Sequence, residues 1–321
     1  MSMDYRRLGS SGLKVSAVSL GAWITFGGSV ADNTAFSTIQ AAVEQGINFI
    51  DVADVYAAGQ AEVVVGKAIK QFRRDDLVIS TKAYWPNSDN INDRGLSRKH
   101  IIESVERSLK RFDMDYVDIF YCHRYDADSP TEETVRAIDD LIHQGKILYW
   151  GTSLWKPSEL SDAIGIANTV NAYRPVVEQP PYSMIRRGSV EGTIDVVARD
   201  HNIGLTVFSP LAQGVLTGKY NDGIPSDSRA AENEGLQKSL KDDVLTKVRA
   251  LTDLAQEMGT TMPALALAWA LRHPAVCSVI MGASRPEQIT ENIKALEVDI
   301  TDEIETRIEE ILDNKPDGSQ R

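Results

Sequence analysis

The stretch that decides the fold is residues 49–70, FIDVADVYAAGQAEVVVGKAIK. Its first part, Phe49–Val52, is a short run rich in β-branched residues and predicts a strand. Its last part, Ala61–Lys70, has the apolar spacing of an amphipathic helix. A strand, a turn and a helix in this order form the repeating unit of a parallel α/β fold.

The same unit recurs along the whole chain. The predicted strands are Ala17–Leu20, Phe49–Val52, Leu77–Thr81, Tyr116–Tyr121, Ile147–Gly151, Val176–Glu178, Leu205–Phe208 and Val279–Met281. The predicted helices are Asn33–Gln45, Ala61–Lys70, Ser97–Phe112, Thr131–Gln144, Pro157–Asn168, Val190–His201, Met262–Arg272 and Pro286–Leu296. Eight strand–helix pairs predict a closed (β/α)8 TIM barrel of the α/β class rather than an open sheet. Because no Pro/Gly/Ser-rich linker divides the sequence, we expect residues 1–321 to form a single domain.

Three segments are added to the regular pattern. Tyr5–Leu8 and Leu13–Ser16 predict an N-terminal hairpin, and a further C-terminal helix is predicted near Asp302–Asp313. The long segment Ala212–Lys241 follows the seventh strand and shows no pattern of its own. A structureless segment of that length in a compact barrel is typical of a lid or clasp.

Charge and composition exclude several classes of function. With 46 acidic and 34 basic residues the net charge is −12, which disfavours binding to nucleic acid or to anionic membranes. Two cysteines are too few for a disulfide framework or a four-thiolate zinc site. The N-terminus is charged where a signal peptide needs an apolar core, and the longest apolar run, Met262–Leu271, is about half a membrane span. We therefore expect a cytoplasmic protein without membrane insertion.

Four polar residues stand at three consecutive strand ends, where barrel enzymes build their active sites. They are Asp51, Tyr56, Lys82 and His123. Taken singly, each has an ordinary explanation in packing, hydrogen bonding or surface charge, and a lysine at this position is also typical of a Schiff-base nucleophile. Taken together, they predict that Asp51 holds Lys82 as a cation, and that this cation lowers the pKa of Tyr56 and makes it a usable general acid. No cluster of His, Asp or Glu has the spacing of a metal site.

A hydride donor would need a binding site, and two common ones are missing from the sequence. Neither a G-x-G-x-x-G after the first strand nor a P-loop is present. Barrels often bind phosphate near the last strands at a helix N-terminus, and the residues from Met281 to Pro286 fit such a site. Ser284 and Pro286 are equally explained as ordinary helix-start residues.

With these residues placed, the sequence resembles the aldo-keto reductases over its whole length. Within that family it is most similar to the group that contains the beta subunits of voltage-gated potassium channels and their plant relatives. The motifs that carry the resemblance are Gly21-Ala22-Trp23, Phe49-Ile50-Asp51 through Val55-Tyr56-Ala57-Ala58-Gly59, Ser80-Thr81-Lys82, Gly95-Leu96-Ser97-Arg98-Lys99-His100, Tyr121-Cys122-His123-Arg124, Tyr149-Trp150-Gly151-Thr152-Ser153, Phe208-Ser209-Pro210-Leu211, Gly218-Lys219-Tyr220 and Gly282-Ala283-Ser284 with Glu291-Asn292.

The resemblance implies a catalytic tetrad of Asp51, Tyr56, Lys82 and His123, and NADPH (or NADP+) as the cofactor. Tyr182 stands near the position of ring stacking, and Lys219, Ser284 and Arg285 would favour a 2′-phosphate, hence NADPH over NADH. By the resemblance, Ser153 and Gln179 would hold the nicotinamide carboxamide. The pyrophosphate would be lined by Ser209, Pro210 and Leu211, with Lys219 and Arg229 closing over it, and the adenosine end would be held by Ser284, Gln288, Glu291 and Asn292. The full set implied in cofactor binding is Gly21, Trp23, Asp51, Ser153, Gln179, Phe208, Ser209, Pro210, Leu211, Gly214, Lys219, Arg229, Gly282, Ser284, Arg285, Gln288, Glu291 and Asn292.

The substrate pocket is predicted at the same mouth. Trp23, Tyr84 and Trp85 would form its apolar wall beside Tyr56 and His123, although packing at the barrel rim explains those aromatic residues equally well. The main hypothesis is NADPH-dependent reduction of a small carbonyl compound. The rivals are a cofactor-binding regulatory subunit with little turnover and a non-redox isomerase or lyase that uses Lys82 covalently.

One position separates the first two hypotheses. By the resemblance, animal channel subunits carry asparagine where typical reductases, like this chain, keep histidine at position 123. Retention of the full tetrad favours turnover. Resemblance to the channel-subunit group implies a homotetramer, whereas many other aldo-keto reductases are monomers.

Overall fold

The computed structural model describes residues 3–23, 26–28 and 31–316. Eight parallel strands form its centre, and they are β3 (Val18–Gly21), β4 (Phe49–Asp51), β5 (Val78–Ala83), β6 (Val117–Cys122), β7 (Ile147–Ser153), β8 (Val177–Gln179), β9 (Gly204–Phe208) and β10 (Val276–Met281). Each strand pairs with the next, and β10 pairs back to β3, so the barrel is closed. The predicted (β/α)8 TIM barrel is confirmed.

Helices surround the barrel. They are α1 (Asp32–Glu44), α2 (Gln60–Ile69), α3 (Arg98–Phe112), α4 (Thr131–His143), α5 (Pro157–Thr169), α6 (Ile194–His201), α7 (Arg229–Glu232), α8 (Glu234–Ser239), α9 (Asp242–Glu257), α10 (Met262–Leu271), α11 (Pro286–Ile293) and α12 (Asp302–Leu312). Short 3-10 helices cover Tyr56–Gly59, Arg74–Asp76, Ala212–Thr217 and Lys294–Glu297. The extra C-terminal helix, α12, is present as expected.

The predicted N-terminal hairpin closes the bottom of the barrel. Its strands, β1 (Tyr5–Arg7) and β2 (Lys14–Ser16), pair antiparallel. Leu8 and Val15 are fully buried against residues from the lower barrel interior, such as Phe49 and Ile119. The hairpin therefore seals the end of the barrel opposite the strand ends that carry the candidate site.

One helix boundary and one segment differ from the prediction, and one helix was not predicted. The sixth helix begins at Ile194 rather than Val190, because the backbone of Thr193 is not helical (φ −128°, ψ −100°). The segment Ala212–Lys241 is not structureless, since it contains a 3-10 helix and the short helices α7 and α8. Helix α9 was not predicted, although its buried Val248, Leu251 and Leu254 recur at helical spacing.

The longest apolar run is a buried helix. Every residue of α10 except Pro263 is buried, which explains why this helix is apolar on all sides. Among the helices of the described residues, none is long and apolar enough to cross a membrane. Both cysteines, Cys122 and Cys277, are unpaired and buried.

Candidate active site

Three neighbouring strand ends and one tight turn bring the four predicted residues together. Asp51 ends β4, Lys82 lies near the end of β5, and His123 directly follows β6. Tyr56 begins the 3-10 turn after β4, in which Ala57 (φ 49°) and Ala58 (φ 52°) both adopt the left-handed region. Two consecutive non-glycine residues in that region cost about 1–2 kcal/mol each, so the surrounding structure has to impose this turn.

Lys82 is the centre of the cluster. Its fully buried ammonium group donates hydrogen bonds to Asp51 Oδ2 at 2.6 Å, to the Val52 carbonyl at 2.8 Å and to Tyr56 Oη at 3.2 Å. The same nitrogen lies 4.9 Å from the centre of the Tyr56 ring. All three protons of the ammonium are therefore engaged, and one of them holds the tyrosine hydroxyl.

Asp51 is fixed by two further donors. Ser80 Oγ and Gln179 Nε2 donate to its Oδ1 at 2.8 and 2.9 Å. Ser80 precedes Lys82 by two residues, so both side chains point to the barrel interior, as the alternation of a strand requires. The sequence analysis gave Ser80 no role, and this two-residue spacing was the signal that could have found it.

Burial sets the protonation states of Tyr56 and Lys82. Burial raises the pKa of Tyr56, and the attraction of Lys82 offsets only part of that rise. The expected net lowering of this pKa is therefore wrong, because the depth of burial exceeds the effect of the cation. Burial acts to lower the pKa of Lys82, but the charge of Asp51 reverses this and the net direction is upward. Near neutral pH the pair is a neutral phenol beside an ammonium.

His123 faces Tyr56 across the barrel mouth. The centres of the two rings are 6.0 Å apart, with the planes at 77°. Burial, reinforced by the charges of Lys82 and Arg124, holds the pKa of His123 well below its usual value. Its imidazole is therefore neutral near neutral pH. Its Nδ1 is buried, and no described residue provides it with a hydrogen-bond partner.

Aromatic side chains stand above these groups. Trp85 is 40% exposed and lies edge-on to Tyr84 (4.9 Å between ring centres) and to His123 (6.5 Å). Trp23, on the loop after β3, is 46% exposed and lies under the Arg229 guanidinium at 5.4 Å. Both indoles are thus partly exposed at the barrel mouth, whereas Tyr84 packs against the core. A substrate-binding role for these three residues stays a prediction.

The predicted pyrophosphate residues lie on a tight loop after β9. Phe208 ends the strand, Ser209 has a φ of 54°, Pro210 and Leu211 follow, and Gly214 has a φ of 99°. Lys219 is exposed, its ammonium lies 5.1 Å from the Tyr220 ring centre, and Gly214 packs against its side chain. Neither Lys219 nor Arg229 has a carboxylate within 4.0 Å in the part of the chain that the structure describes.

The predicted adenosine residues lie between β10 and the end of α11. The backbone nitrogen of Ser284 donates to Gln288 Oε1 at 2.8 Å, while Gly282, Arg285 and Glu291 are exposed. Asn292 is buried, and its Nδ2 donates to Met281 Sδ at 3.0 Å. Gly21 packs at the neighbouring strand end, where a Cβ would lie 2.7 Å from Ile280 Cγ2.

Three residues predicted near the nicotinamide are buried and have protein partners. Ser153 Oγ donates to the Gln179 carbonyl at 2.9 Å, and the Gln179 amide is bound to Asp51. Tyr182 stacks on Trp269 at 5.0 Å and donates its hydroxyl to Glu191 at 2.6 Å. One face of the Tyr182 ring is thereby taken, and its stacking role stays a prediction.

Three polar groups beside the tetrad were missed. Burial raises the pKa of Asp54 and that of Glu178 to about 8 each. Arg124 follows His123 directly and lies 5.7 Å from the centre of the Trp85 ring. Glu178 precedes Gln179 in β8, so its side chain points away from the barrel interior, and only strand alternation could have indicated this from sequence.

A sequence model described as "Aldo/keto reductase family" matches residues 17–313, which include every residue of the candidate site. The chain belongs to the aldo/keto reductase family. Members of this family generally reduce carbonyl compounds with NADP(H).

Two plant relatives match this aldo/keto reductase along almost its whole length. A protein of Arabidopsis thaliana named "Probable voltage-gated potassium channel subunit beta" is 50% identical over 322 residues, covering 98% of each chain. A protein of the same name from Oryza sativa subsp. japonica is 47% identical, again over 98% of each chain. The predicted resemblance to the channel-subunit group is confirmed.

Proposed function

We propose that this aldo/keto reductase converts aldehydes or ketones to alcohols, with NADPH as the hydride donor and Tyr56 as the proton donor. The observation that carries the proposal is the hydrogen bond from Lys82 Nζ to Tyr56 Oη at 3.2 Å, backed by the Lys82–Asp51 ion pair at 2.6 Å. This chain of contacts leads from a buried carboxylate to a hydroxyl group at the barrel mouth.

The residues around the mouth fit a dinucleotide phosphate. When bound, the reduced nicotinamide supplies the hydride. Lys219 and Arg229 are cations without a carboxylate partner among the described residues, and both follow the tight loop after β9, where barrels commonly hold phosphate. Ser284 and Arg285 lie at the start of α11, and Arg285 has only a loose contact of 3.8 Å with Glu287. This excess of positive charge supports the preference for NADPH over NADH.

The hydrogen-bond directions at Tyr56 suit a general acid. Lys82 donates to the phenol oxygen, so the hydroxyl proton remains available for a substrate oxygen. The raised pKa of Tyr56 keeps that proton in place until the carbonyl oxygen gains negative charge. The phenolate formed on proton transfer then lies beside an ammonium group that is already in position, so little reorganisation is needed.

His123 is suited to orienting the substrate. Burial holds its pKa well below the usual range, so the ring is neutral and one of its nitrogens carries a proton. Because the ring faces Tyr56 at 6.0 Å between centres, a carbonyl oxygen between the two can accept hydrogen bonds from both. The two bonds would fix the carbonyl plane.

The same contacts argue against covalent use of Lys82. A Schiff-base lysine must lose its proton to become a nucleophile. Lys82 instead carries a raised pKa and three acceptors for its protons. We therefore set the isomerase or lyase hypothesis aside.

A second candidate function comes from the names of the relatives. Both plant proteins are named as probable potassium channel beta subunits, and the corresponding candidate function for this chain is an NADPH-binding regulatory subunit, in a homotetramer, with little turnover. The presence of His123 in a complete tetrad favours the enzyme.

Consumption of NADPH with an activated aromatic aldehyde such as 4-nitrobenzaldehyde separates the two functions. We expect multiple turnovers per protein, alcohol as the product, and a much higher kcat/KM with NADPH than with NADH. Tight NADPH binding without consumption would contradict the reductase proposal and support the regulatory subunit.

A further inference from the structure

Arg124 places a positive charge beside the tetrad. It follows His123 in sequence, and its Nη1 donates to the backbone carbonyl of His123. Its guanidinium lies 5.7 Å from the centre of the Trp85 ring, and that ring is 6.5 Å from the His123 ring. The guanidinium and the imidazole therefore border the same indole at the mouth of the barrel.

The charge of Arg124 is not matched by an anion. Within the described residues no carboxylate lies within 4.0 Å of it, and Nη1 is the one nitrogen of its guanidinium that makes a hydrogen bond. Two other partly or fully buried arginines are paired, Arg111 with Glu62 at 2.5 Å and Arg187 with Glu191 at 2.8 Å, whereas half-buried Arg229 lacks a carboxylate partner among the described residues and belongs to the proposed phosphate site. An arginine that is only partly exposed and lacks such a partner is unusual, because a desolvated charge is costly unless it is compensated.

The carboxyl that acts electrostatically on Arg124 does not supply the missing charge near neutral pH. Glu178 interacts electrostatically with Arg124, but burial raises the pKa of its carboxyl to about 8. Thr152 and the backbone nitrogens of Leu154 and Trp155 hold this carboxyl on the outer side of the barrel. Below that pH the carboxyl is protonated, and the guanidinium keeps its positive charge toward the mouth.

We propose that Arg124 binds a carboxylate of the substrate, so that this enzyme prefers aldehydes or ketones that carry an acid group. The inference rests on the proposed reductase function and specifies its substrate class. A guanidinium has five donors in a plane, which suits a carboxylate, and Nε and Nη2, which make no hydrogen bond to the described residues, are available for it. The carbonyl end of the same molecule then reaches Tyr56 and His123, while Trp85 contacts its apolar middle.

The test compares acids with their matched esters. The substrates are 2-, 3- and 4-formylbenzoate and the three corresponding methyl esters, which differ in charge and little in shape. The variants are Arg124→Met, which removes the charge, and Arg124→Lys, which keeps it without the planar fork. Arg98→Met serves as the control, because Arg98 pairs with Asp140 at 2.5 Å on the surface of α3 and α4.

We expect wild type to prefer at least one acid over its ester in kcat/KM, mainly through KM. Arg124→Met should lower kcat/KM for that acid by about 10- to 100-fold, as for the loss of a charge-assisted hydrogen bond, and leave the ester nearly unchanged. Arg124→Lys should retain part of the preference, and Arg98→Met all of it.

Two results would overturn the inference while leaving the reductase intact. One is a wild-type enzyme that reduces every ester as well as its acid. The other is an Arg124→Met variant that loses activity equally on acid and ester, which would mean that Arg124 only positions His123 and Trp85. If wild type consumed neither kind of substrate, the reductase proposal itself would fail, and the inference with it.

Discussion

Replacing Lys82 by methionine tests how strongly the ammonium group supports Tyr56. Methionine has nearly the length of lysine but no charge and no donor. In the wild type the Lys82 nitrogen lies 3.2 Å from Tyr56 Oη and 2.6 Å from Asp51 Oδ2. The substitution therefore removes both the stabilisation of the phenolate that forms during proton transfer and the counterion of Asp51.

The effect on catalysis should be large. Loss of one prepositioned group that stabilises developing negative charge commonly lowers kcat by about 10²–10³-fold, or roughly 3–4 kcal/mol of barrier. Lys82 is such a group, because its positive charge lies beside Tyr56 Oη, the oxygen that loses its proton and becomes negative. NADPH consumption should show this fall in kcat, with the KM for aldehyde little changed, because the interaction strengthens only in the transition state.

The effect on stability should be separable from the effect on rate. Breaking a buried ion pair by removing one partner costs about 3–5 kcal/mol of stability. Because Ser80 and Gln179 still donate hydrogen bonds to Asp51 in the variant, we expect a loss at the lower end of this range. The double variant Lys82→Met/Asp51→Asn removes both charges and should recover most of the free energy of unfolding in urea, followed by tryptophan fluorescence, but none of the activity. A folded Lys82→Met enzyme with wild-type kcat would refute the reasoning.

Three further predictions concern the buried acid Glu178, the matched pair of helix glycines Gly66 and Gly165, and His123. Glu178→Gln should stabilise the fold at high pH. Burial raises the pKa of the Glu178 carboxyl to about 8, so the folded chain keeps a proton that the unfolded chain releases at lower pH. The free energy of unfolding of the wild type therefore falls as the pH rises from the ordinary pKa of glutamate to about 8. In urea titrations, the variant's gain in free energy of unfolding over wild type should be small near the ordinary pKa of glutamate. It should grow by at most about 1.4 kcal/mol per pH unit and level off above pH 8. A gain in stability that does not depend on pH would contradict this prediction. Gly66→Ala should cost about 1–3 kcal/mol, since a Cβ there would lie 2.4 Å from the Phe112 carbonyl oxygen. At Gly165 in α5 an added Cβ would meet nothing within 4 Å, so Gly165→Ala should instead stabilise the fold by about 0.5–1 kcal/mol. Equal shifts of the thermal unfolding midpoint in the two variants would contradict both predictions. His123→Asn should lower kcat/KM for aldehyde by about tenfold, because one hydrogen bond to the substrate is lost. The affinity for NADPH, measured by fluorescence titration, should not change. Weaker NADPH binding would instead place His123 in the cofactor site.

The barrel was predictable because its periodicity is local. Strands such as Val117–Cys122 are short apolar runs, and most of them are followed by an amphipathic helix, so the repeated unit predicts one closed sheet. The segment after β9 was mispredicted for the opposite reason. Helices α7 and α8 have four and six residues, too short to show a clear period, and they depend on tertiary packing rather than on propensity.

The positions of the four site residues were predictable from strand ends, but their protonation was not. The sequence indicates that Lys82 neighbours Tyr56, and that contact alone would lower the tyrosine pKa. Burial reverses the direction, and burial depends on the whole barrel mouth. Arg124 was passed over in the same way, since only the folded loops reveal that no carboxylate of the described residues lies within 4.0 Å of it.

The central claim is that Tyr56 delivers the proton in an NADPH-dependent reduction. It is tested most directly by following NADPH absorbance with an activated aromatic aldehyde, for wild type and for Tyr56→Phe, after tight NADPH binding is verified for both. The account predicts rapid consumption by wild type and its loss in the variant, by about 10²–10⁴-fold for removal of a general acid. Consumption that survives in Tyr56→Phe at the wild-type rate would contradict the account and require a different acid.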